Sequence, residues 1–127
     1  MSKVVLDASA VLALLNQEKG SEEIAQLIDD ALISSVNLSE VIAKLTDIGV
    51  TESDVEQLLS NLNLEVIPFT EEQAWQAGIL RPLTKSIGLS FGDRSCLALG
   101  ICHNLPVITT DRLWGNLNLK VEIRVIR

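Results

Sequence analysis

The chain has almost none of the groups on which zinc and thiol chemistry depend. It contains a single histidine, His103, and two cysteines, Cys96 and Cys102. There is no CxxC, HExxH or Cys/His cluster, which excludes a zinc site of the usual N/S type. Both cysteines fall within one predicted helix, where six residues set α-carbons about 9 Å apart, beyond disulfide reach. His103 lies near the end of that helix and reads as a cap or surface residue. No apolar run is long enough to span a bilayer. The segment MSKVVLD lacks the apolar core and small-residue cleavage site of a signal peptide. The expected location is cytoplasmic, with no membrane partner.

Positive charge is also scarce. Ten Lys and Arg face 17 Asp and Glu, for a net charge of −7. Taken alone, this opposes non-specific binding to nucleic acid, which rests on cations meeting phosphates. The argument weakens if some acids are metal ligands whose charge bound ions offset. Most other acids fall between Glu18 and Asp30 or between Glu52 and Glu72, and read as solvated helix faces. A hydrophobic share of 47% supports a substantial core, and 127 residues leave room for one domain, residues 1–127.

Short β-branched apolar runs alternate with helical periodicity. Strands are expected at 3–6, 31–34, 64–67 and 106–109, with a fifth at 122–126. Helices are expected from Ala8 to Asn16, from Ser21 as N-cap, and from Asn37 or Ser39 as N-cap through Ile48, where Gly49 stops the helix. Thr51 with Asp54 makes a capping-box-like start to a helix ending at Asn61. Thr70 opens a long helix that should bend or be rebuilt at Pro82. Gly88 to Phe91 reads as a loop before a helix that starts at Gly92 or Asp93 and runs through Cys102. Alternation of this kind implies an α/β fold with a mostly parallel sheet covered on both faces.

Four acids stand where such a fold builds its sites, beyond the carboxyl ends of strands. Asp7 ends the first strand and Asp111 follows the fourth; Glu40 and Asp93 lie in first helical turns. Converging carboxylates repel one another unless their pKa values rise or a divalent cation sits among them. Oxygen ligands without His or Cys favour Mg2+ or Mn2+, and such a site suits phosphodiester hydrolysis. The hydroxyls of Ser9 and Thr109 can orient a carboxylate. Lys44, one turn beyond Glu40, and Arg94 and Arg112 can contact a phosphate backbone. Each acid also has a purely structural reading: Asp7 and Asp93 as helix caps, Glu40 as a first-turn residue favoured by the helix dipole, Asp111 as a turn opener.

The segments VVLDASAVLALL, NLSEVIAKL, LSFGDRSCLALG and VITTDRLW, in this order and at these intervals, resemble a PIN-domain ribonuclease of the VapC toxin type. The resemblance covers Lys3 to Trp114. It implies a three-layer α/β/α sandwich and Mg2+- or Mn2+-dependent endonucleolytic cleavage of RNA. By motif position, Asp7, Glu40, Asp93 and Asp111 match the family's acidic quartet, and Ser9 and Thr109 its hydroxyl positions. It also implies a homodimer and a separate cognate antitoxin. A housekeeping RNA-processing role and a non-catalytic acidic module that binds metal or basic peptide stand as alternatives. A haloacid dehalogenase-type phosphatase would want a second Asp where Ser9 stands. A receiver domain would want an acidic pair after the first strand and a phosphoacceptor where Pro68 and Phe69 stand.

Overall fold

The computed structural model describes residues 2–127; Met1, included in the expected domain span, lies outside the described residues. Five strands, β1 (Val4–Leu6), β2 (Ala31–Ser34), β3 (Glu65–Ile67), β4 (Val107–Thr109) and β5 (Ile123–Val125), form one sheet. Its order is β3-β2-β1-β4-β5 and every pairing is parallel. The connections are α1 (Ala8–Leu15), α2 (Ser21–Leu27), α3 (Ser35–Asp47), α4 (Glu52–Ser60), α5 (Glu71–Thr84) and α6 (Phe91–His103).

The period-two alternation of β1 divides the core. Val4 and Leu6 join Ile33 and Ile108 beneath Val11, Ile24, Val41 and Val55 from α1 to α4. Val5 points the other way, with Val107, against Leu80 of α5 and Cys96, Leu97 and Leu99 of α6. Trp114, buried on a 3-10 turn (Arg112–Asn116), closes that second layer. The result is the expected three-layer α/β/α sandwich. Strand order reverses between β1 and β4, so the crevice beyond their carboxyl ends is the switch point at which such sheets place ligands.

Several helix starts differ from expectation. α3 begins at Ser35, capped by Ser34, whose hydroxyl accepts from the Val36 N–H at 3.2 Å. The strand therefore passes straight into the helix, and Asn37, expected as a cap, is buried inside the first turn. α2 is preceded by Gly20 in the left-handed region (φ 94°), which makes Ser21 its first helical residue rather than its cap. α6 begins at Phe91, earlier than expected, because Ser90 and Asp93 form a reciprocal capping box at 3.1 and 3.0 Å. α5 continues through Pro82 to Thr84, ending in a 3-10 turn over Lys85–Ile87. Pro82 and Gly78, whose carbonyl loses its intrahelical donor, both lie on the exposed face, where water can replace that bond. Thr51 caps α4 through the Asp54 N–H as expected.

Candidate active site

Asp7 lies buried at the switch point, only 4% exposed. Its backbone N–H donates to the Ile108 carbonyl at 3.1 Å, which fixes it to β4 as the chain leaves β1. Its carboxylate accepts from the Ala10 N–H at 2.8 Å and from the Ser9 hydroxyl at 2.8 and 2.9 Å. Thr109, at the end of β4, donates to it at 2.5 Å. The Ser9 and Thr109 hydroxyls in turn accept from the N–H groups of Thr110 and Asp111, both at 3.1 Å. Asp7 thus caps α1, as one structural reading expects, and also anchors a network across the switch point.

Burial dominates the electrostatics of Asp7. It pushes the carboxyl up to about 6 from an ordinary 3.8, against the lowering effect of hydrogen bonds from Thr109, Ala10 and Ser9; the charge of Asp93 adds a smaller upward push. Three donors do not offset the loss of water. A carboxylate in that position gains from any cation that enters.

Glu40 and Asp93 reach the same place from different helices. The Asn37 amide donates to Glu40 Oε1 at 2.8 Å and to the Gly92 carbonyl at 2.9 Å, tying α3 to the first turn of α6. A β-carbon at Gly92 would overlap the Glu40 carboxylate, which would have to shift. Asp93 accepts from the Ser90 N–H as part of the capping box. One turn on, the buried Cys96 thiol is pushed well above its ordinary range, first by burial and then by the charges of Asp7, Asp93 and Glu40. The charges of these three acids thus all act on the Cys96 thiol.

Asp111 stands apart. It is exposed, and its carboxylate accepts from the Leu113 N–H at 3.0 Å. Its link to the site is its own N–H, donated to Thr109. Lys44 is exposed and lines a surface groove with Leu12, Asn16 and Asp47. Arg94 turns toward α5, where Nη1 donates to the Ala77 carbonyl at 2.9 Å. Arg112 is exposed at the start of the 3-10 turn.

Among the described residues, no group of three or more His, Cys, Asp or Glu side chains is placed so that it could hold a metal ion. The donor set nonetheless fits a hard divalent cation: carboxylate oxygens alone, one of them nearly dry and pressed by a like charge.

A family model described as the PIN domain matches residues 4–118. The chain belongs to the PIN domain family. Among solved structures, VapBC2 from Rickettsia felis, bound to a DNA fragment from its promoter, is similar at a TM-score of 0.78 and 17% identity, with 98% of each chain covered. DNA-bound VapBC from Salmonella typhimurium follows at 0.70 and 21%, again with 98% of each chain. VapBC-5 from Mycobacterium tuberculosis, from a toxin–antitoxin family, gives 0.66 and 24%, covering 100% of this chain and 99% of that one. At these identities the likeness establishes the fold. No curated protein matches the chain in sequence.

In this PIN domain, sequence reasoning missed the parts played by Asn37 and Gly92. The available signal was spacing: Asn37 lies three residues before Glu40, one helical turn away on the same face. Nothing local marks Gly92, whose role is set by a side chain 52 positions earlier.

Proposed function

We propose that this PIN domain is a Mg2+- or Mn2+-dependent endoribonuclease and the toxin of a toxin–antitoxin pair. The observation that carries the reading is the Asp7 carboxylate, buried at the switch point and held by Ser9 and Thr109, with the charge of Asp93 acting on it. Asp7, Glu40 and Asp93 would hold the cation, with Asp111 contributing from the rim. When bound, the cation supplies an acidified water near neutral pH and a counter-charge for the phosphate oxygens.

The protein's own residues do the positioning. Ser9 and Thr109 fix the Asp7 carboxylate from two sides, so it need not reorient during the reaction. Asn37 holds Glu40 against Gly92. Lys44 and Arg112, exposed near the same elements, are available to phosphates flanking the cleaved bond. Arg94 is already committed to Ala77, so it contributes as a fixed cation rather than a mobile clamp.

The toxin role is supported by the solved relatives, which include toxin–antitoxin complexes. A separate antitoxin that covers the crevice and a homodimer are the partners this reading assigns. Purified protein incubated with labelled RNA, with Mn2+ or with EDTA, tests the activity. A neighbouring reading frame whose product binds the protein and suppresses cleavage separates the toxin from a housekeeping processing enzyme.

A further inference from the structure

We propose that the exposed ring of Phe91 is a stacking platform for one unpaired base of the RNA substrate, beside the acids. This rests on the ribonuclease reading above.

The chain has only two phenylalanines, and they meet. The rings of Phe69 and Phe91 lie 5.6 Å apart, edge to face at 83°. Both are anchored at the carboxyl end of the sheet. Phe69 follows β3, and its N–H donates at 3.1 Å to the hydroxyl of Ser35, the first residue of the helix that bears Glu40. Phe91 opens α6 immediately before Gly92, against which Glu40 packs, and two residues before Asp93. The aromatic pair therefore flanks the acids on the β3 side.

Phe91 keeps 52% exposure although it is a large apolar ring. Its edge contact with Phe69 fixes its orientation, so little freedom is lost when a base stacks on it. The Arg94 guanidinium carbon stands over the ring 6.0 Å from its centroid, and the tie to Ala77 holds that cation in place. An aromatic face with a cation beside it is the arrangement that single-stranded nucleic acid uses. It also answers the charge problem. With ten Lys and Arg and a net charge of −7, the chain has few cations available for phosphate contacts. Stacking needs no such charge, only a base that is not already paired.

The exposed apolar stripe of Trp75, Ile79 and Leu83 on α5 is a different feature, with no cation set over it, and has the character of a protein-contact face.

The test compares wild type, Phe91→Ala and Phe91→Trp for steady-state cleavage of an unstructured RNA. Binding of the same RNA is measured on each in an Asp7→Asn background. The alanine variant should keep its melting temperature, since the ring is exposed. It should raise KM and weaken binding about tenfold, with a smaller effect on kcat, and tryptophan should restore both. Unchanged KM in Phe91→Ala, or failure of tryptophan to restore it, overturns the proposal and leaves the nuclease reading standing. Loss of self-association or of antitoxin binding alone, with RNA binding intact, makes Phe91 a protein contact and also overturns it. Absence of metal-dependent cleavage in the wild type removes the nuclease reading itself.

Discussion

The Thr109 hydroxyl donates to the Asp7 carboxylate at 2.5 Å, joining the ends of β4 and β1 where the strand order reverses. The same oxygen accepts the Asp111 N–H, so one side chain links the buried acid to the exposed one. Thr109→Val keeps the shape and removes both bonds. The cost should be about 1–3 kcal/mol of stability, since a buried carboxylate loses a donor. The Asp7 carboxyl should then titrate higher than it does in the wild type. Denaturant unfolding and the pH midpoint of cleavage measure the two effects.

Asp7 sets a pH dependence of stability in the metal-free protein. Unfolded, it ionises near 3.8; folded, at about 6. Between those values the folded state holds the extra proton, so stability falls as pH rises through the window and levels off above it. The full shift corresponds to about 3 kcal/mol. Asp7→Asn removes the charge at nearly constant shape and should abolish cleavage. Without metal it should melt higher than wild type at pH 7.5, and the gap should close near pH 4. Melting curves across that range in EDTA check the sign; a variant that melts lower at pH 7.5 would show that burial does not dominate.

Gly92→Ala would ordinarily favour a helix by up to about 1 kcal/mol. Here the added methyl overlaps the Glu40 carboxylate. Cleavage should fall at least about tenfold through displacement of that group, an effect of the size a misplaced catalytic group produces. Mn2+ titration by calorimetry should show weaker binding, and no change in either would mean that Glu40 is free to move aside without consequence.

Asn37→Ala strips Glu40 of its amide partner and removes the side-chain bond that ties α3 to the Gly92 carbonyl of α6. Stability should drop by about 1–3 kcal/mol. Asn37→Asp should be worse for activity, because it sets a second carboxylate directly against that of Glu40 in place of a donor. Equal activity of the two variants would reduce Asn37 to a packing residue.

Much of the fold was legible because its signals are local. Val4–Leu6 and Val107–Thr109 are short apolar strands, and the pattern of Val41 and Leu45 has helical spacing. The start of α3 was not legible, because Ser34, Asn37 and Ser39 are all competent caps and only the direct run from β2 into the helix selects Ser34. Asp7 and its hydroxyl partners followed from strand-end logic. The turn reading of Asp111 was legible too: its carboxylate caps the 3-10 turn that follows it. Arg94 read as a phosphate contact, but its partner is a carbonyl on α5 that only the packing of α5 on α6 brings within reach.

The most direct measurement is cleavage of an end-labelled, unstructured RNA by the purified protein in Mn2+, in EDTA, and in Mn2+ with Asp7→Asn. The acids around the switch point predict internal cleavage in the first condition only, restored to the EDTA sample by added Mn2+. Equal cleavage in EDTA, or full activity of a folded Asp7→Asn variant, would contradict a metal-dependent site built on Asp7.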